Sequence, residues 1–385
     1  MYKEQFEWNK WENRILKNNI MIIILSIILS LTFIGCSNHT TKEEQLDKYM
    51  DKIFYSSNMP SISILIVDNG KTVYNKSFGY ANVETLEKAT PSTNYRLASV
   101  SKMFTAMSIM ILKDRGQLDY DMSVKDILED FPEYGKDITI RHLLNHTSGL
   151  RSFYDLTELL DEEFNEENQI LDSDVYEIVK RADSTYFTPG SIFKYSDTGY
   201  IILGLVVEEV SGMKLSDFMK ENIFMPLSMD NTVLFDKTLN MSINNRAYGT
   251  DSDGKKYIIK DQSYSSATRG DGSVYSSLED LYKWDQALYS DKLVSKETMQ
   301  EAYTPPKHLN SLYENYTCGW IFRKNGEDQL EQVHAGSTQG FSTIYFRIPE
   351  KQQAIIILSN MNEYNIVYDM DEKIRKIYDF AKESY

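Results

Sequence analysis

The sequence predicts an α/β fold of the α+β kind: an antiparallel sheet built from both chain ends, flanked by helices, with a mostly helical inserted subdomain at about residues 117–268. Three observations predict it. Two β-rich runs, 61–67 and 72–78, flank Asp68-Asn69-Gly70-Lys71, and an Asn-Gly pair between such runs is a strong hairpin signal. Short β runs return near the far end, at 318–322, 332–334, 341–346 and 354–358, with turns at Asn325-Gly326 and Pro349-Glu350. The stretch between reads as helices and loops, so one sheet must use both ends of the chain.

Taken in order, the first 36 residues stand apart. Lys3, Lys10, Arg14 and Lys17 precede an uncharged run at 20–34 that ends Phe33-Ile34-Gly35-Cys36-Ser37. A basic segment followed by an apolar one too short for a confident membrane span is the pattern of a secretory signal. It resembles a bacterial lipoprotein signal, in which Cys36 becomes the lipidated first residue; an uncleaved N-terminal anchor is the alternative. Either places the remainder outside the cytoplasm, bound to the cell membrane. Residues 37–45 read as a polar tether and 46–385 as a single domain, opened by an amphipathic helix at 44–55. After the hairpin comes an apolar helix from Val100 to Leu112, closed by Lys113 and Gly116. A capped short helix is expected at 123–128, surface helices within the acidic stretch 155–183, and an apolar helix between Gly199 and Gly212. Residues 236–268 read as polar and irregular. Ser277 caps a helix to Tyr289, and a last helix is expected from Met370 to Ala381.

Composition narrows the function. An apolar content of 42% with 25% charged residues suits a packed globular domain. A formal charge of −16 argues against nucleic acid, because phosphate recognition needs a basic face. With Cys36 lipidated, Cys318 is alone, so no disulfide framework is expected.

The chemistry centres on Ser99 and Lys102. They lie three apart at the head of the apolar helix, so hydroxyl and amine share a face. A serine hydroxyl needs a base to become a nucleophile, a buried lysine can serve as one, and a helix N-terminus offers N–H groups to an oxyanion. Three further S-x-x-K matches, at Ser191, Ser211 and Ser252, lie in polar or Gly-containing stretches and read as solvated turns. Tyr195, in Phe193-Lys194-Tyr195-Ser196-Asp197, is a candidate second proton carrier. His334-Ala335-Gly336 ends a late strand whose small residues let a substrate backbone approach.

In this order Ser99-Val100-Ser101-Lys102, Tyr195-Ser196-Asp197 and His334-Ala335-Gly336 resemble the serine hydrolases of the class C β-lactamase type, which include DD-peptidases, D-amino-acid peptidases and esterases. The flanks resemble them too: Tyr95-Arg96-Leu97-Ala98, the run from Arg141 to Leu150, and the run from Gly270 to Trp284. The resemblance implies a β-lactamase/transpeptidase-like fold and no metal or organic cofactor. It implies that Ser99 attacks to form an acyl-enzyme, that Lys102 and Tyr195 share the acid and base work, that the N–H groups of Ser99 and Ser337 form the oxyanion hole, and that Gly336 and His334 line the site. The partner would be a small-molecule or peptide substrate, a cell-wall D-amino-acid peptide or an ester.

Two departures from that pattern bear on substrate. Asp197 stands where Asn is usual; an ionised Asp only accepts hydrogen bonds, so it either holds Lys102 charged or attracts a substrate ammonium. His334 stands where β-lactamases of this type carry Lys, which lowers the expectation of β-lactamase activity. A peptidase or esterase is the first reading, and a lipid-anchored binding protein that has lost turnover is the alternative. Two other candidates have plainer readings. His142 and His146 are four apart, a spacing that can bind zinc, but lack the intervening Glu of H-E-x-x-H. Arg151 and Arg269 are possible carboxylate readers, or members of salt bridges.

Overall fold

The structure is a computed structural model and describes residues 40–54, 58–239, 241–304 and 315–380. Cys36, the expected lipidation site, and the signal at 1–36 lie outside the described residues. The chain divides after Gln45. Residues 40–45 carry the start of helix α1 (Lys42–Ile53), so the tether expected to reach residue 45 is helical from Lys42. The reason is a capping box: the Thr41 hydroxyl accepts from the Glu44 N–H at 3.1 Å, and the Glu44 carboxylate accepts from the Thr41 N–H at 2.9 Å.

Residues 46–380 are built on one seven-stranded antiparallel sheet. Its strands are β1 (Ile62–Asp68), β2 (Lys71–Phe78), β3 (Tyr316–Thr317), β4 (Trp320–Lys324), β5 (Leu330–Thr338), β6 (Phe341–Ile348) and β7 (Gln353–Ser359). The order is β3-β4-β5-β6-β7-β1-β2. The hairpin is as the sequence predicts: Asn69 and Gly70 both take positive φ, 50° and 72°, which lets the turn follow the twist of the strands. The N-terminal hairpin then joins the C-terminal strands through β1 and β7, Ile62 pairing with Ser359.

Both faces of the sheet are covered, which is why β1, β6 and β7 are buried at nearly every successive position rather than at alternate ones. On one face Ile64, Ile66, Phe346, Ile355 and Ile357 pack with Leu46 and Met50 of α1 and with Val367, Met370 and Ile374 of the last helix. The other face, with Leu65, Val67, Tyr345 and Ile356, belongs to a larger core shared with helix α2 (Lys102–Asp114) and the helical insert. Every residue of α2 from Lys102 to Leu112 is buried, as an all-round apolar helix requires. The insert contributes a short helix (Ile140–Leu144), α3 (Asp172–Arg181) and α4 (Asp197–Ser211), which packs on α2; helix α5 (Leu278–Ala287), capped by Ser277, packs on β1 and β7.

Several expectations change. The acidic stretch at 155–183 supplies α3 but otherwise only two 3-10 turns, Phe153–Asp155 and Thr157–Leu159, because its apolar residues gather in a small cluster with Ile201 rather than along a helical stripe. Cys318-Gly319 is a turn, not part of a strand: both residues have positive φ and separate β3 from β4. The last helix, α6 (Tyr364–Tyr378), begins earlier than predicted. Within the insert Val233–Leu234 is a strand, pairing with Val274–Ser276, which pairs in turn with Tyr95–Arg96. That small sheet ties the insert to the residues just before Ser99.

Candidate active site

Ser99 sits in a 3-10 turn, Ala98–Ser101, that leads into α2. Ala98 has φ 49°, a left-handed conformation that L-residues other than Gly, Asn and Asp seldom adopt. Strain of this kind persists only where neighbours enforce it, and they are evident. The Leu97 N–H donates to the Val274 carbonyl at 2.8 Å, the Ser101 hydroxyl accepts from the Val274 N–H at 3.0 Å, and the Thr343 hydroxyl donates to the Leu97 carbonyl at 2.9 Å. Gly336 completes the clamp. A Cβ there would lie 2.3 Å from the Leu97 carbonyl oxygen and 3.1 Å from the Ala98 Cβ, so β5 can approach the turn only with glycine at this position. Gly336→Ala is therefore expected to cost about 1–3 kcal/mol of stability and to slow any reaction of Ser99; thermal unfolding alongside labelling kinetics would show both.

Lys102 is fully buried beneath Ser99. Its ammonium donates to Asp197 Oδ1 at 2.7 Å, to the Asp271 carbonyl at 2.9 Å and, more weakly, to Ser99 Oγ at 3.4 Å. Burial alone would push this amine toward neutrality, but Asp197, Tyr195 and Asp271 outweigh it and hold its pKa above the ordinary lysine value. Of the two roles open to Asp197, the structure has it pairing with Lys102. Tyr195 lies across the site, its ring centroid 4.9 Å from Lys102 Nζ. Although 41% of the residue stays exposed, partial loss of water around its hydroxyl and the Asp197 charge raise its pKa to about 12 against the pull of the Lys102 charge. Ser99, Lys102, Tyr195 and Asp197, scattered over 99 positions of sequence, thus form one contiguous group.

His334 is buried on β5. Its Nδ1 bonds the Ala335 carbonyl at 2.7 Å and its Nε2 faces the Tyr316 hydroxyl at 3.0 Å, so Nδ1 carries the proton and Tyr316 donates. Burial, aided by the Lys102 charge, lowers its pKa to about 3, which makes it a neutral imidazole at any physiological pH. Ser337 is exposed at the strand end next to Gly336. His146 is not aligned with His142. Its Nδ1 accepts from the Ser196 N–H at 3.1 Å, and its ring packs 4.2 Å from Tyr195 and 4.3 Å from Tyr316, whereas His142 Nδ1 accepts from the Thr139 N–H. Each histidine thus serves a different local hydrogen bond.

Arg269 does not read an external carboxylate. Its guanidinium is occupied by Asp172 at 2.8 Å and by Glu208 and Asp236 at 2.9 Å each. Arg151 pairs with Asp183 at 3.7 Å on the surface. Sequence reasoning missed Asp271 and Tyr316. The signal for Asp271 was a carboxylate in Gly270-Asp271-Gly272, within a flank already singled out; Tyr316 carried no signal among 27 tyrosines.

A serine at the head of a buried helix, backed by a lysine three residues on and set between an antiparallel sheet and a helical lobe, is the arrangement of a serine hydrolase. The comparisons with known proteins agree. The family model described as Beta-lactamase matches residues 43–377, and the chain belongs to that family. Penicillin-binding protein 4* of Bacillus subtilis (strain 168) is 35% identical over 314 residues, covering 78% of this chain and 68% of the relative. Protein flp of Staphylococcus aureus (strain N315) is 30% identical over 332 residues; 83% of this chain spans 63% of that longer protein. Among solved structures, the octameric penicillin-binding protein homologue from Pyrococcus abyssi superposes with a TM-score of 0.73 at 26% identity, covering 87% of this chain and 77% of that one.

Proposed function

We propose that this protein is an extracytoplasmic hydrolase, membrane-bound through Cys36 or an N-terminal anchor, that cleaves an amide or ester through an acyl-Ser99 intermediate. Its substrate in this reading is a D-amino-acid peptide of the cell wall or an ester. The observation that carries it is the contact of Ser99 Oγ with a fully buried Lys102 whose charge is locked by Asp197. With Lys102 held as an ammonium, the acceptor for the Ser99 proton is Tyr195, as a phenolate stabilised by that charge. Ser99 Oγ then attacks the substrate carbonyl, its proton passes to Tyr195 and on to the leaving group, and the oxyanion is held by the N–H groups of Ser99 and Ser337. Water repeats the sequence to release the acid. The relative named as a penicillin-binding protein supports an acyl-serine route. The neutral His334, where a β-lactamase of this type would have a cation, favours peptides or esters over β-lactam turnover.

The test is labelling of the protein from Ser37 onward with a fluorophosphonate and, separately, a fluorescent penicillin, with the adduct located by peptide mass. Labelling of Ser99 by the fluorophosphonate, absent in Ser99→Ala, is the expected result. Additional penicillin labelling points to the DD-peptidase type. A folded sample labelled by neither overturns the hydrolase reading in favour of a binding protein without turnover.

A further inference from the structure

The nucleophile group contains a charged residue that no part of the reaction scheme above uses. Asp271 lies in the loop that leads into the small sheet at Val274–Ser276. Its carbonyl accepts the Lys102 ammonium at 2.9 Å, and the loop is pinned by the Thr105 hydroxyl on the Gly270 carbonyl at 2.6 Å and by Arg96 on the Gly272 carbonyl and the Ser273 hydroxyl. The Asp271 side chain is buried, and its Oδ1 makes no hydrogen bond within the protein. A sealed carboxyl with an idle oxygen is costly to keep, so its place beside the catalytic group calls for a reason.

The charges that face it are few in kind. Lys102 comes from α2, Asp197 from the first turn of α4, Asp172 from α3 and the Tyr154 hydroxyl from the 3-10 turn at Phe153–Asp155. On its own loop the Thr268 hydroxyl donates to the Ser265 carbonyl at 3.1 Å, while the Arg269 guanidinium is turned to Asp172, Glu208 and Asp236. One ammonium, Lys102, therefore bonds the Asp197 carboxylate and the Asp271 backbone carbonyl, with the Asp271 carboxyl as a second acid in its field.

We propose that Asp271 is a positioning residue for acylation: its sealed carboxyl, set against Lys102 and Asp197, governs how readily the Ser99–Lys102–Tyr195 group gives up a proton. The inference rests on Ser99 being the nucleophile. An ionised Asp271 adds a second negative charge beside Lys102 and makes the Tyr195 phenolate harder to form; a neutral Asp271 leaves more of the Lys102 charge to stabilise it. Burial and the neighbouring Asp197 raise the Asp271 pKa to about 7, against the opposing pull of Lys102, so the change of charge falls within the working range of pH.

The sign follows directly. The rate of Ser99 modification rises with pH as the phenolate becomes available. Below neutrality Asp271 is protonated and the group deprotonates more easily; above it Asp271 is ionised and deprotonation becomes harder. The native profile should therefore flatten between about pH 6 and 8, where loss of the Asp271 proton offsets the gain in phenolate. Asp271→Asn keeps the shape and removes the charge at every pH. It should match the native protein at pH 5.5 and label roughly tenfold faster at pH 8.5, the effect of one pK unit on the acceptor.

The experiment measures second-order fluorophosphonate labelling of Ser99 from pH 5 to 9 in the native protein and Asp271→Asn. A native profile of constant slope overturns the inference even if Asp271→Asn fails to fold. So does an Asp271→Asn profile parallel to the native one, or a uniform loss of rate, which would mark a purely structural residue. If the native protein is not labelled at any pH, Ser99 is not the nucleophile and both readings fall. If Ser99 is labelled and the profiles coincide, only the role of Asp271 does.

Discussion

Replacing Lys102 by methionine is expected to slow modification of Ser99 by about 10³-fold or more, within the range spanned by loss of a proton-transfer group and of a preorganised charge. Methionine fills much of the same fully buried volume, so the change is mainly electrostatic. The ammonium that lowers the cost of a Tyr195 phenolate disappears, and Asp197 loses its 2.7 Å partner. Asp197 is not sealed, since 23% of its side chain remains exposed, and water can solvate it once the lysine is gone. The variant should therefore fold and be inactive. Labelling kinetics with circular dichroism and thermal unfolding would check this, and a folded variant that labels within tenfold of the native rate would sink the role assigned to Lys102.

Arg269→Leu should have the largest effect on stability, about 3–5 kcal/mol, the range for stranding buried charges by removing their partner. One guanidinium serves Asp172 on α3, Glu208 on α4 and Asp236 after the insert strand, and both aspartates are 2% exposed. Without it two carboxylates are left inside with no cation to answer them. Urea unfolding measures the loss. The double variant Arg269→Leu/Asp172→Asn should recover part of it, because the pair is coupled through direct contact. A cost below about 1 kcal/mol for Arg269→Leu would mean that the insert relaxes to solvate its acids.

These two residues mark the limits of what sequence shows. Lys102 was legible because helix periodicity puts it beside Ser99 and because three short motifs fall in a recognisable order. The hairpin, the central helix and the pairing of the two chain ends were legible for a similar reason: each is written in local apolar patterning. Arg269 was ambiguous, since its three partners lie 33, 61 and 97 residues away and share no local signal. Asp271 was invisible as a functional group because its meaning lies in burial beside Lys102, 169 residues distant. The turn at Cys318-Gly319 was misread because Trp320, Ile321 and Phe322 extend a β pattern across it, while the positive φ values that break the strand are imposed by tertiary packing. The extent of the helices at 155–183 was overestimated because an acidic composition says where water is, not how the backbone is hydrogen-bonded.

The sheet has a further consequence for how the chain comes into being. Ser61 and Asn360, joined by hydrogen bonds at 2.6 and 2.8 Å, are 299 residues apart. The first hairpin therefore waits for almost the whole polypeptide before its open edge is covered, and such distant pairings form slowly. The turn that carries Ser99 leans on Gly336 and Thr343, which also arrive late. A chain interrupted between Lys102 and Leu330 carries the serine and the lysine but not the strands that hold Ala98 in its strained conformation. Incomplete translation products would thus hold the reactive residues without the geometry that arms them, and reactivity would be conferred only on a finished molecule.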